Sequence, residues 1–453
     1  MKKIILTILT TLAVNVSVLS QTPGTMQPPG PAPAGEIKSK PSAFGINFTG
    51  FVKTDFIFDS RQTVNLREGH FLLFPEKKRL DPDGKDINAV PNFNFLSIQT
   101  RLAGNITGPD ALGAKTSAYI EGEFFGNINS GINSFRLRHA WIKLNWKSTE
   151  LMTGQWWHPM FVPECSPATV SFNTGAPFVV FSRNPQLRLS QSMGKFKLAL
   201  SLLSQVDFVS DGPDGPSPKY LRNSMIPESN LLLQFSSKNP EKRTEFVIGA
   251  SVNYQVLKPR LVSVDTLTPA RDTVINQVPV HINAVTASYQ TKATSAALAA
   301  SFYTKLVTKP LTIKAGAVYG ENNNAYVMIG GFAVKSCTDA SRGFVDYANL
   351  RSMAVWGEVH TNGTRWQPAL FGAWAQNLGI GEEVAGPYYA RGTDIAYAYR
   401  ISPRLVFNAG KLRIAGEVEY TVAAYGKTDS KGFVKDPSEI ANTRLLLGVF
   451  YFF

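Results

Sequence analysis

The stretch "NTRLLLGVFYFF" (442–453) ends the chain on aromatic residues. Termini are ordinarily solvated and frayed. Here Leu445, Leu447, Val449, Tyr451 and Phe453 fall on one parity, and Asn442, Arg444, Leu446, Gly448 and Phe450 on the other. A period of two means an extended strand with two different faces. One face is apolar up to the last residue, as it must be if it never meets water.

The same pattern recurs from residue 44 onward. In "FGINFTGFVKTDFIFDS" (44–60), Phe44, Ile46, Phe48, Val52, Phe56 and Phe58 share one parity, against Asn47, Thr49, Lys53, Asp55 and Asp59. In "NFLSIQTRLAGNI" (94–106), Leu96, Ile98, Leu102 and Ile106 alternate with Ser97, Gln99, Arg101 and Asn105. In "KLRIAGEVEYTVA" (411–423), Leu412, Ile414, Val418, Tyr420 and Val422 oppose Lys411, Arg413, Glu417, Glu419 and Thr421. Such strands fit a soluble sandwich with its apolar faces inward or a membrane barrel with them outward.

Three features select the barrel. Many segments run well beyond the about 5 or 6 residues of a globular strand and match the about 9–11 needed for a tilted crossing. The polar parity carries charges at close spacing, as in Glu121 with Glu123 and Arg136 with Arg138. Connections alternate in length: "TGPDALGA", "NWKSTE", "SMGK" and "TKAT" are tight, whereas 60–92, 157–183, 209–228, 257–277 and 426–440 are long. A transmembrane barrel has short turns at one end and long loops at the other. The fold class is therefore all-β, a transmembrane antiparallel β-barrel. Seventeen candidate strands are marked, among them 279–291, and "AYVMIGGFAVK" (325–335) is a possible further one. An even number requires 16 strands, the favoured count, or 18.

The chain has 453 residues and, after residue 20, no run of 18 apolar residues that would make a transmembrane helix. "MKKIILTILTTLAVNVSVLSQ" has Lys2 and Lys3 before an apolar stretch and small residues near Ser20, which reads as a cleaved signal peptide over 1–20. Residues 21–43 are Pro-rich and read as a flexible leader. The barrel occupies 44–453. Cys165 and Cys337 allow at most one disulfide. The formal charge of +13 favours anionic partners; small anionic solutes fit a barrel, and no nucleic-acid partner is expected.

Function rests on the interior. "QWWHPMFVPECSPATVSFNTGAPFVVFSRNPQLRLS" (155–190) is a long, apolar, Pro-rich connection, unlike a solvated loop, and is expected to fold inward as a constriction. Arg183 and Arg188 follow it, Arg136 and Arg138 lie on the preceding strand, and Arg101 shares the inward parity. Guanidinium groups grip carboxylates with two prongs, so these five residues form the candidate solute-binding constriction. "DPDGKD" (81–86) reads as an Asp/Gly turn, since it lacks the closing Glu of a calcium loop. His70, His139, His158, His281 and His360 show no metal-ligand spacing and no catalytic setting. No catalytic residue, metal or cofactor is assigned.

"GFVKTDFIFDSRQ" (50–62), "YGENNNAYVMIGGFAVKS" (319–336), "YARGTDIAYAYRISPRLVFNAGKLRIAGEVEYTVAAYG" (389–426) and "LLLGVFYFF" (445–453) resemble the DcaP-like trimeric porins of Gram-negative outer membranes. The resemblance spans 44–453. It implies 16 strands per protomer, a homotrimer and uptake of small anions such as dicarboxylates. It also implies contact with outer-membrane lipid and lipopolysaccharide, and recognition of the C-terminal strand by the barrel-assembly machinery. The alternative is a structural or adhesive barrel whose outer loops bind a partner. A barrel hydrolase with a Ser–His pair is a third class, and the five scattered histidines offer it no support.

Overall fold

The computed structural model describes residues 44–126, 129–268, 270–275 and 278–453; the expected signal peptide (1–20) and leader (21–43) lie outside the described residues. Sixteen strands form the wall. They are β1 (Gly45–Asp59), β2 (Asn92–Leu96 and Arg101–Thr107), β3 (Lys115–Glu123), β4 (Arg136–Asn145), β5 (Thr149–Trp157), β6 (Arg183–Met193), β7 (Phe196–Leu203) and β8 (Glu228–Asn239). The ring continues with β9 (Thr244–Leu257), β10 (Ser295–Val307), β11 (Leu311–Glu321), β12 (Phe344–Thr361), β13 (Trp366–Asn377), β14 (Ile395–Ala409), β15 (Leu412–Thr428) and β16 (Val434–Phe452). Each strand pairs antiparallel with the next, and β16 pairs with β1 from Phe51 opposite Phe452 to Asp59 opposite Arg444, which closes the barrel.

The alternation read from the last strand is the alternation observed. Leu445, Leu447, Tyr451 and Phe453 are exposed on the outer surface, while Asn442, Arg444 and Leu446 are buried inside. Phe44, Ile46, Phe48, Val52, Phe56 and Phe58 are likewise exposed, and Lys53, Asp55 and Asp59 buried. Phe48, Phe196, Trp366 and Tyr451 ring the outer surface near the short turns, with Phe58, Tyr319 and Tyr420 toward the other end. On β15, Tyr420 lies eight residues from Leu412, the partner of Tyr451. At ~3.4 Å per residue and ~40° of tilt that is ~20 Å, close to the apolar band of about 25 Å between aromatic girdles.

Several sequence expectations are corrected. Candidate strand 279–291 is not part of the wall. Val285–Gln290 pairs with Val262–Thr268, and Arg271–Ile275 with Val278–Ile282, so the described residues of 258–294 leave the wall as a two-stranded arm. A free hairpin alternates its faces just as a wall strand does, which is why period two misled there. "TKAT" (291–294) lies at the base of that arm and is not a turn at the short-turn end. The stretch 325–335 contributes a 3₁₀ turn (Asn323–Tyr326) and part of the strand Gly330–Asp339, which pairs above the wall with β12 and with Tyr388–Arg391. Both findings select 16 strands over 18. Of the connection placed at 426–440 only 429–433 link β15 to β16, and the rest is strand.

Leu96 and Ile98 do not share the outer face of Leu102. Along β1, Phe51 to Asp55 spans four steps, whereas their partners Arg101 and Leu96 are five apart. The extra residue is a bulge. It turns Leu96 and Ile98 toward the interior core, while Phe93 and Phe95 face outward. Both cysteines are free, Cys165 buried and Cys337 exposed.

Leu447→Arg places a cation in the middle of the apolar band and is expected to cost about 2–4 kcal/mol, whereas Tyr451→Arg at its rim costs about 0–1 kcal/mol. Urea unfolding of lipid-refolded protein measures both. Equal losses would contradict the position of the band.

Candidate functional site: the crossed barrel interior

The connection from β5 to β6, residues 158–182, folds into the barrel. In a ring of sixteen strands, β5 and β13 stand opposite each other, and the segment reaches strands flanking β13. The backbone N–H of Ala168 donates to Glu358 on β12 at 2.7 Å. Those of Val170 and Ser171 donate to one oxygen of Glu417 on β15, at 2.6 and 2.9 Å. Asn173 donates to Glu419 at 3.2 Å, Lys53 on β1 to the Val170 carbonyl at 2.9 Å, and Arg400 on β14 to the Ala176 carbonyl at 2.9 Å. Lys314 on β11 donates to the Ser166 carbonyl at 2.7 Å. Charged N–H and carboxylate partners make these strong bonds.

The arginine cluster stands on the side the segment leaves. Glu121 and Glu123, two apart on β3, face inward together. Glu123 is registered between Arg101 on β2 and Arg136 on β4. Opposite charges directly across a ladder attract. A bulge in β4 leaves Arg138 as the extra residue between Leu137 and His139, and both Arg138 and His139 are buried inside. Glu123 lies 3.1 Å from Arg101, 2.7 Å from Arg136 and 2.8 Å from Arg138, and Arg138 also binds Glu121 at 2.6 Å. Asp207, in the connection from β7 to β8, binds Arg136 at 2.7 Å, a nitrogen of Arg183 at 2.9 Å, and Arg67 at 3.6 Å. Aromatic faces flank the charges: Arg67 and Arg136 lie over Phe125, and Arg183 over Trp157.

Four of the five sequence-predicted residues, Arg101, Arg136, Arg138 and Arg183, thus meet in one network. Arg188 does not join it. Its guanidinium bonds the Gln186 side chain at 3.0 Å and the Trp157 carbonyl at 3.1 Å, and it lines a separate cavity nearer the short turns. Sequence reasoning missed Arg67 and Asp207. Both sit in long connections, where no periodicity says which way a side chain points. It recorded Glu121 and Glu123 as inward charges without seeing them as the partners of the arginines.

The network holds five guanidinium groups and three carboxylates, a surplus of two positive charges. The long connections pack over it. Phe71, Phe125, Phe172, Phe178, Phe181, Phe208 and the stretch Tyr326–Ile329 form one apolar cluster. Its burial pushes the Arg67 guanidinium down to about 10, with Arg136 adding repulsion. Burial also opposes the charge of Asp207, yet Arg183, Arg136 and Arg67 outweigh it and hold that carboxyl below the usual carboxylate range.

No protein-family model matches the chain, and no curated protein matches it in sequence. Among solved structures, the outer-membrane channel DcaP of Acinetobacter baumannii aligns with a TM-score of 0.61 at 16% identity, over 92% of this chain and 99% of that one. OmpT of Vibrio cholerae aligns at 0.49 with 9% identity, over 92% and 99%. An anion-selective porin from Comamonas acidovorans aligns at 0.47 with 10% identity, over 91% and 100%. The likeness to DcaP is one of fold: this chain has the fold of an outer-membrane channel.

Asp207→Asn removes the carboxylate from between buried guanidinium groups. Breaking a buried pair costs about 3–5 kcal/mol, read as a lower Tm in detergent. A carboxyl with a depressed native pKa adds stability that is complete above its unfolded value of about 3.9 and fades as pH falls toward the native one. The wild-type Tm is therefore expected to fall below pH 4 more steeply than that of Asp207→Asn; parallel curves would refute the role given to Asp207.

Proposed function

We propose that the protein is a porin of the Gram-negative outer membrane, passing small polar solutes and favouring anions. The observation that carries this reading is the interior itself: a closed barrel of channel fold, crossed by an inward-folded segment, beside arginines that outnumber their carboxylates. In this reading the segment 158–182 narrows the lumen, and Arg101, Arg136, Arg138 and Arg183 set the field that a solute meets there. Small carboxylates, dicarboxylates among them, are the solutes whose chemistry a guanidinium cluster recognises. The outer band suits outer-membrane lipid and lipopolysaccharide, and β16 is the strand that assembly machinery would read.

Reversal potentials across a salt gradient in a planar bilayer test this. The wild type is expected to be anion-selective. Arg136→Ala with Arg138→Ala removes two cations and exposes Glu121 and Glu123, so selectivity should fall, most at low salt. A change of ~1.4 kcal/mol corresponds to about tenfold in relative permeation. Cation selectivity in the wild type would defeat the proposal.

A second reading is a barrel whose outer loops bind a partner. It is favoured by the apolar packing of those connections over the interior and by the two-stranded arm. It predicts negligible conductance in the same bilayer.

Trimer assembly follows from the family resemblance, with the outward faces of β1 and β16 (Phe48, Phe56, Val449, Tyr451) as candidate contacts. Native mass spectrometry in detergent should give a trimer; a monomer across a wide concentration range would count against it.

A further inference from the structure

Arg188 borders a cavity of about 260 Å³ on the short-turn side of the inward-folded segment, lined also by Lys143, Glu150, Lys197, Gln234 and Trp156. Most of its charges are already matched. Lys143 is 3.1 Å from Glu150. Glu164, brought in by the segment, accepts from Gln234 at 3.1 Å and lies 3.9 Å from Lys305, which Glu245 holds more closely at 2.9 Å. Two cations remain. Arg188 bonds only neutral groups, the Gln186 amide oxygen and the Trp157 carbonyl. Lys197 has no hydrogen bond and no carboxylate within ion-pair distance among the described residues.

The two sit on the hairpin β6–β7, both on the inward parity. Arg188 is registered with Ser201 and Lys197 with Ser192, so they are offset by four residues along the strands. At ~3.4 Å per residue that is ~13 Å, which two long side chains close from opposite ends of the cavity. Apolar groups, Met152, Phe161, Ala199 and Leu232, complete the lining. A partly buried cation without an ion-pair partner is costly; Glu150 on β5 attracts both from beyond ion-pair distance, and its own partner is Lys143. The volume falls below the about 300–1,000 Å³ of drug-sized pockets, so the occupant is small.

We infer that Arg188 and Lys197 form a second anion subsite, separate from the Arg101–Arg136–Arg138–Arg183 network, which takes a small organic carboxylate with its charged head on the two cations and its carbon body against Trp156 and Phe161. This rests on the reading of the barrel as an anion-favouring channel, and it divides the predicted arginine set in two: four residues act at the crossing segment, while Arg188 acts with a lysine that sequence reasoning passed over.

Butyrate is the probe and butyramide its uncharged counterpart. With the full-length protein in a planar bilayer, butyrate added to both compartments should block chloride current, and butyramide should not. Lys197→Met removes a side chain that holds nothing else, so folding is retained; with Arg188→Gln added, the half-blocking concentration should rise about tenfold. Arg188→Lys keeps the charge and should stay within about threefold of wild type. Calorimetric titration of the detergent-solubilised protein with butyrate gives a readout independent of current, and Lys197→Met alone should weaken it. Equal block and equal binding in wild type and Lys197→Met overturn the subsite while leaving an anion-selective channel standing. Butyrate binding that Lys197→Met weakens, in a protein that passes no anions, supports the subsite and overturns the channel reading instead.

Discussion

Inside hydrocarbon every backbone N–H and C=O needs a partner within the protein, and a sheet satisfies that demand only when its last strand bonds its first. Here the seam is β16 on β1. Phe453 extends it by one more residue, its N–H donating to the Gly50 carbonyl at 3.1 Å and its carbonyl accepting from the Gly50 N–H at 3.3 Å. The seam is also ionic on its inner side, where Arg444 on β16 holds Asp59 on β1 at 2.7 Å. Closure forces one face of every strand toward lipid and the other toward the interior. It therefore dictates both the period-two apolar pattern and the crowd of charged side chains within.

Most of those inward charges are paired where the long connections fold over them, and the inward-folded segment takes part on one side of the barrel only. On the β2–β6 side, arginines from the wall meet carboxylates from β3 and from the connection carrying Asp207. Across the ring, Glu358 and Glu417 accept backbone N–H groups of the inward-folded segment. Between His158 and Ser182 that segment has no Lys or Arg and only one carboxylate, Glu164. Its amides join wall arginines in answering the acidic residues opposite, for Arg404 also holds Glu358 at 2.9 Å and Arg400 holds Glu419 at 3.3 Å. Its course is fixed both by these backbone bonds and by the packing of its Phe161, Phe172, Phe178 and Phe181 in the apolar cluster.

The wall was legible in the sequence because the lipid boundary imposes strict alternation: 16 of the 17 marked segments are wall strands, and the one that is not, 279–291, belongs to a hairpin with the same periodicity. Register slips were not legible. The bulge that turns Leu96 and Ile98 inward, and the one that brings Arg138 and His139 to the same side, depend on one extra residue against a neighbouring strand. The grouping of Arg101, Arg136 and Arg138 could be read from parity and strand order, since neighbouring strands carry them. Asp207 and Arg67 could not, because both enter from connections whose direction is set by packing around Phe125 and Phe208. Arg188 looked equivalent to Arg183 by spacing alone; five residues of strand place it beside a different cavity.

That separation matters to how an anion would move. Pairing does not cancel the field of the arginine network, because the cations outnumber the carboxylates by two, but salt limits its reach to about 8 Å at physiological ionic strength. From Arg183 to Arg188 on β6 is five residues, or ~17 Å at ~3.4 Å per residue, and Lys197 lies a further four residues along. The two basic regions therefore lie more than one screening length apart along the barrel. In the proposed channel, an anion leaving the first would gain little from the second until it had nearly arrived, and neither region would deepen the other's well. Conduction needs sites that bind well enough to admit a solute and weakly enough to release it. On the proposed function, two modest basic stages would meet that requirement better than one pooled cluster of all the arginines.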